Sequence, residues 1–143
     1  MNTDLHFSSK TDNWATPTSF FKSIEDRFGS FDLDPCADEY NFKAKTYYTK
    51  QDDGLSKEWR GKVWMNPPYG REIIKWMKKA YESYLAGATV VCLVPSRTDT
   101  KWWHEYAMKA SKIEFIRGRL KFGDSKNSAP FPSALIIYDK RKP

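Results

Sequence analysis

VWMNPPYGREIIKWMKKAYESYLAGATVVCLV, residues 63 to 94, decides the fold class of this chain. It opens on a short apolar run, Val63-Trp64-Met65, and turns at Asn66-Pro67-Pro68-Tyr69. Ile73, Ile74, Met77, Ala80, Tyr81, Tyr84 and Leu85 then follow helical spacing, and Gly87 is placed to end the helix. Ala88 to Val94 is a continuous apolar run, as expected of a strand covered on both faces. Strand, turn, helix and buried strand together are the signature of an α/β fold.

The pattern continues in both directions. Upstream, Thr16 is placed to cap a helix beginning at Pro17, with Phe20, Phe21, Ile24 and Phe28 as its apolar stripe and Gly29 as its stop. Phe31 to Asp34 reads as the first strand. Residues 36 to 60 permit a shortened helix and a strand around Thr46 to Thr49. Downstream, Asp99 is placed to cap a helix carrying Trp102, Trp103, Tyr106, Ala107 and Ala110. Lys112 to Ile116 and Ser133 to Tyr138 read as the last two strands, and the excursion Gly118 to Pro132 between them as a hairpin with a loop.

Composition narrows the class. A chain of 143 residues buries about 70% of its unfolded surface, enough for one core. No apolar run approaches the ~20 residues of a membrane span, and the polar stretch Met1 to Asp12 lacks a signal core, so a cytoplasmic protein is expected. Cys36 and Cys92, the two cysteines, have no matching His/Cys cluster; reduced thiols and no metal are expected. The net charge of +6 favours a polyanionic partner and salt-sensitive binding. Lys75, Lys78 and Lys79 read as a solvated helix face, and Lys140-Arg141-Lys142 as solubilising charge. Arg117, Arg119 and Lys121, beside Phe122, are the better candidates for nucleic-acid contact.

Asn66-Pro67-Pro68-Tyr69 suits one chemistry. An amino group on an aromatic ring has a delocalised lone pair, so a catalyst must hold its N–H bonds and draw the nitrogen toward a tetrahedral shape. Asn66 offers a side-chain amide oxygen, and Pro67, with fixed φ and no N–H, presents its carbonyl from a stiff turn. Tyr69 offers a flat ring on which a displaced base can stack. The ordinary alternative is a tight Pro-Pro turn whose aromatic covers the sheet end.

The segment Asn13 to Asp139 resembles the small phage-type DNA N6-adenine methyltransferases. The resemblance rests on Asp12-Asn13-Trp14-Ala15-Thr16-Pro17, on Phe31-Asp32-Leu33-Asp34-Pro35-Cys36-Ala37-Asp38, and on Asp53-Gly54-Leu55 with Trp59. Asn66 to Tyr69, Leu93-Val94-Pro95 and Gly118-Arg119-Leu120-Lys121-Phe122 complete it. It implies a Rossmann-like methyltransferase sheet, mostly parallel with an antiparallel C-terminal strand and helices on both faces. An N-terminal arm, residues 1–12, would precede a single domain, 13–143, without a separate target-recognition domain. It also implies S-adenosylmethionine as cofactor, DNA as substrate, and a phage or prophage origin in a bacterial host; oligomeric state stays open.

The implied cofactor site comprises Asp34, Pro35, Cys36, Ala37 and Asp38 as the first binding motif, with Trp14, Thr16 and Pro17 bordering the methionine end. Asp34 suits the amino group or sulfonium and Asp38 the ribose hydroxyls, while Asp53 is preferred over Asp52 for the adenine amino group. Pro35-Cys36-Ala37-Asp38 stands where the family has a glycine-rich turn. Arg97, Arg119 and Lys121 are the expected DNA contacts, with a short or relaxed target. Methylation of another planar nitrogen (cytosine N4, RNA adenine or protein glutamine) and a noncatalytic nucleic-acid-binding protein are the alternatives.

Overall fold

The computed structural model describes residues 14–124 and 128–140. The arm 1–12, Asn13, His6 and the tail residues Arg141 and Lys142 lie outside the described residues. Six strands form one sheet: β1 (Leu33–Asp34), β2 (Thr46–Tyr47), β3 (Lys62–Met65), β4 (Thr89–Pro95), β5 (Lys112–Phe115) and β6 (Ser133–Tyr138). Their spatial order is β2-β1-β3-β4-β6-β5. β2, β1, β3 and β4 are mutually parallel, and β6 runs antiparallel to both β4 and β5. The expected Rossmann-like sheet with its reversed last strand is therefore present.

Register and side-chain contacts place helices on both faces. Trp64 pairs with Val91 and Val91 with Ile137, while Leu93 pairs with Leu135 and Leu135 with Glu114, so these residues share a face. Helix α1 (Thr18–Phe28) lies there: the Phe21 ring meets Trp64 edge-on at 5.1 Å, and Arg27 pairs bidentately with Glu114 at 2.6 and 2.8 Å. Tyr138 pairs with Val90 and faces the other way. Its ring contacts Tyr81 and Tyr84 of α2 (Ile73–Leu85) at 6.0 and 5.5 Å. Ile73, Met77 and Ala80 recur at i, i+4 and i+7 and are buried, which seats α2 on that second face.

Several boundaries differ from expectation for identifiable reasons. Helix α1 starts at Thr18 with Pro17 as its N-cap, and Thr16 caps nothing; its hydroxyl is engaged elsewhere. Helix α3 (Lys101–Glu105) is capped by Thr100, whose Oγ1 accepts the Trp103 N–H, and not by Asp99. It gives way near Tyr106, whose carbonyl accepts the Tyr138 hydroxyl at 2.5 Å, and the chain continues as a 3₁₀ turn at Ala107–Lys109. Residues 36 to 60 contain no α-helix; 3₁₀ turns at Lys50–Asp52 and Gly54–Ser56 follow β2. Among the described residues, the excursion 118 to 132 holds no strand pair. A 3₁₀ turn at Phe122–Asp124 and the bond from the Ala129 N–H to the Leu120 carbonyl, 2.7 Å, replace the expected hairpin.

Candidate active site

Ligands of open α/β sheets gather beyond the carboxyl ends of the strands where the strand order reverses. Here that point lies between β1, which continues to β2 on one side, and β3, which continues to β4 on the other. Asp34 to Asp38 leaves β1 and Asn66 to Tyr69 leaves β3, so both sequence motifs flank this crevice.

On the β1 side, a carboxylate fixes the loop that follows the strand. Buried Asp34 accepts the N–H of Cys36 at 3.1 Å through Oδ1 and that of Lys43 at 2.9 Å through Oδ2, tying residues 35 to 43 to the strand end. Burial pushes its carboxyl up to about 6, against the lowering effect of those two N–H groups. Asp38 is exposed and accepts the Tyr40 N–H at 2.8 Å. Cys36 and Cys92 are unpaired, and burial pushes both thiols up, which keeps them protonated and poorly nucleophilic.

The turn at 52–54 is brought to this loop by a close backbone approach. A Cβ on Gly54 would stand 2.5 Å from the Pro35 carbonyl oxygen and 3.3 Å from Trp76. The buried Trp59 indole N–H holds the Gly54 carbonyl at 2.9 Å, which accounts for the Asp53-Gly54 and Trp59 pairing in the sequence. Asp52 and Asp53 are distinguished here. The Asp52 carboxylate closes a capping box with Thr49. Asp53 is exposed, sits in left-handed backbone at φ 56°, and its carboxylate has no hydrogen-bonding partner among the described residues. Asp53 thus retains the acceptor that Asp52 has committed.

On the β3 side, Asn66 is half-buried and fully engaged. Its Nδ2 donates to the Trp14 carbonyl at 2.5 Å and to Thr16 Oγ1 at 3.0 Å, and its Oδ1 accepts the Tyr69 hydroxyl at 2.9 Å. That hydroxyl also lies 3.2 Å from the Leu93 carbonyl. Pro67 is buried and Pro68 half-buried. Tyr69 is not the open platform expected from the sequence. Its ring is 3% exposed, with Phe131 and Phe122 set edge-on at 5.6 and 6.2 Å. Trp14 meets the same two rings at 5.2 and 5.6 Å, so Trp14, Tyr69, Phe122 and Phe131 form one aromatic cluster over the motif. Phe131 went unrecognised in the sequence, where its spacing follows no periodic element.

The candidate DNA contacts divide. Arg97 lies at the site, 5.9 Å over the Phe131 ring. With Arg71 and Lys101 it lines a cavity of about 470 Å³ whose floor includes Ile73, Pro95 and Trp102. Arg119 and Lys121 are exposed on the strand-free segment leading into buried Phe122. A hollow of about 540 Å³ lined by Trp59, Gly61, Lys79 and Gly87 lies beside the residues preceding β3 and β4, at the opposite end of the sheet. Among the described residues no helix is long and apolar enough to cross a membrane, and no group of three His, Cys, Asp or Glu is placed to hold a metal.

A family model described as DNA N-6-adenine-methyltransferase (Dam) matches residues 4–140. The chain is 33% identical over 143 residues to the DNA N-6-adenine-methyltransferase of Haemophilus phage HP1, covering 94% of this chain and 83% of that protein. It is 36% identical over 112 residues to the DNA N-6-adenine-methyltransferase of Escherichia phage T1, covering 76% of this chain and 46% of that one.

Proposed function

The chain belongs to the DNA N-6-adenine-methyltransferase (Dam) family, and from that premise we propose that it transfers the methyl group of S-adenosylmethionine to a flipped adenine held at Asn66 and Pro67. DNA adenine methylation is the activity its relatives carry, which sets aside the other planar nitrogens and the noncatalytic reading. We read residues 13–143 as one catalytic domain.

The acid groups around the crevice suit the proposed cofactor. A ligand with an ammonium and a sulfonium centre fits beside the buried carboxyl of Asp34, which has lone pairs beyond the two its loop uses. The uncommitted carboxylate of Asp53 suits an amino group of the cofactor's base, and exposed Asp38 its ribose hydroxyls. Pro35, Cys36 and Ala37 would line the path between them, with Trp14, Thr16 and Pro17 bordering the site from the segment before α1. When bound, the cofactor supplies an electrophilic methyl group and departs as a neutral thioether.

The chain's own contribution is positioning. Asn66 Oδ1 and the Pro67 carbonyl accept the two N–H bonds of the adenine amino group and orient its nitrogen toward the methyl group. Before that, Tyr69 must release Asn66, and its ring must exchange the edges of Phe122 and Phe131 for the base. Two edge-to-face pairs are worth about 1–3 kcal/mol together, and stacking a base on an aromatic contributes about 1–3 kcal/mol. The exchange is close to neutral, so the packed ring does not bar the base. Pro68 keeps the turn stiff between the two acceptors and Tyr69. Arg97, joined by Arg119 and Lys121, supplies phosphate contacts. The proton leaving N6 passes to solvent.

The observation that carries this reading is Asn66 at the end of β3, beside the reversal of strand order, with its amide oxygen already accepting a hydroxyl donor. Asn66→Ala is expected to lower methyl transfer from tritiated S-adenosylmethionine to DNA by at least ~100-fold, roughly 3 kcal/mol of transition-state stabilisation, with the fold retained. Near-normal turnover in the folded variant would remove Asn66 from the mechanism.

A further inference from the structure

Trp14-Ala15-Thr16-Pro17 precedes α1 and contributes no side-chain cap to it. Pro17 biases Thr16 toward extended backbone, which directs the chain away from the helix and across the sheet end. There it meets Asn66. One N–H of the Asn66 amide reaches the Trp14 carbonyl at 2.5 Å and the other reaches Thr16 Oγ1 at 3.0 Å. The Trp14–Pro17 segment is itself anchored: the Trp14 ring packs on Phe122 and Phe131, and the Gly123 N–H donates to the Ala15 carbonyl at 2.8 Å. Thr16 is 4% exposed.

A primary amide has two orientations of nearly equal shape and opposite chemistry. Turned one way, Asn66 presents an oxygen acceptor to the crevice; turned the other way, it presents two donors, which would face the N–H bonds of the substrate. A backbone carbonyl accepts only. The flipped amide would set Oδ1 against the Trp14 oxygen, two acceptors at 2.5 Å without a proton between them.

We infer that the Trp14–Thr16 segment is an orienting clamp for Asn66, with the Thr16 hydroxyl as its side-chain element and Thr16 as a positioning residue for methyl transfer. This rests on the assignment of Asn66 as the acceptor of the adenine amino group. It gives Thr16 a task distinct from bordering the cofactor.

The test compares Thr16→Val, which keeps the side chain's shape and removes the acceptor, with Thr16→Ser, which restores it. Single-turnover methyl transfer under saturating DNA and S-adenosylmethionine is measured beside the Kd of each ligand. The clamp predicts a rate about 10-fold lower for Thr16→Val, Kd values within about twofold of the parent, and most of the rate recovered in Thr16→Ser. Thr16→Ala replaces Thr16→Val if the latter does not fold by circular dichroism. An unchanged rate in the hydroxyl-less variant overturns the clamp, as does equal impairment of Thr16→Ser. A loss confined to the Kd of S-adenosylmethionine also overturns it, in favour of a cofactor contact. Asn66→Ala in parallel separates the two assignments: a dead Asn66→Ala with an unimpaired Thr16→Val removes the clamp alone, whereas an active Asn66→Ala removes the acceptor reading beneath it.

Discussion

Gly54→Ala tests the cofactor side of the crevice without touching any charge or any proposed substrate contact. The added Cβ would lie 2.5 Å from the Pro35 carbonyl oxygen, roughly 0.9 Å inside an ordinary van der Waals contact. The obstacle is backbone, so it cannot swing aside as a side chain would. Trp76 at 3.3 Å blocks a second direction. Relief comes from moving the 52–56 turn outward, which strains the 2.9 Å bond from the Trp59 indole to the Gly54 carbonyl. Losing that bond costs about 0.5–1.5 kcal/mol, and overpacking of this kind typically costs 1–3 kcal/mol. A loss of about 2 kcal/mol in stability is expected, with Asp53 carried away from the β1 loop. S-adenosylmethionine affinity, measured by calorimetry, should fall about 10-fold or more while DNA affinity stays within twofold. A variant with parental stability and parental cofactor affinity would refute both the tight approach and the placement of the cofactor beside it.

Asp34 makes stability depend on pH. Its folded carboxyl titrates at about 6 and an unfolded aspartate near ~3.9, so the folded chain binds the extra proton between these values. Its contribution is therefore most favourable below about pH 4 and declines by about 3 kcal/mol as pH rises through 6. Urea titrations from pH 4 to 7 should show this slope relative to Asp34→Asn, and identical slopes would contradict it. Asp53→Ala should weaken S-adenosylmethionine binding at least ~10-fold with little effect on melting temperature, while Asp52→Ala should lower the melting temperature through its lost capping box and leave cofactor affinity unchanged; interchanged outcomes would assign the carboxylates the other way. Arg97→Ala and Arg119→Ala should each reduce DNA affinity similarly on all sequences and make the plot of log K against log salt shallower by about one unit. A salt slope equal to the parent's in either variant would deny that residue its phosphate.

What was legible in the sequence was what repeats. The stripe Ile73, Met77, Ala80 and the run Ala88 to Val94 identified α2 and β4, because burial on one face or on both leaves a trace in the sequence. Asn66 to Tyr69 was legible because two prolines after a strand leave the chain few paths. Residues 36 to 60 resisted for the opposite reason: Asp34, Asp52 and Trp59 hold them through side-chain bonds to backbone, and such bonds have no period. Thr16 before Pro17 satisfies the local rule for a helix cap, yet its hydroxyl goes to Asn66, fifty positions away. Tyr69 was read as a free ring because nothing near it in sequence announces Phe131.

The hydroxyl of Tyr69 on Asn66 Oδ1 turns base choice into an exchange reaction. In the proposed mechanism an incoming base must replace a bond already made. Adenine does so with its amino N–H, leaving the number of hydrogen bonds unchanged. Thymine and guanine would turn a carbonyl toward the same oxygen, and Asn66 Oδ1 would be left without a donor at a cost of about 1–3 kcal/mol. The resting bond thus sets a threshold that a base with a carbonyl in place of adenine's amino group fails, before any contact with its neighbours in the strand is made. In the proposed mechanism the exchange separates bases with an amino group at that position, adenine and cytosine, from those with a carbonyl there, guanine and thymine.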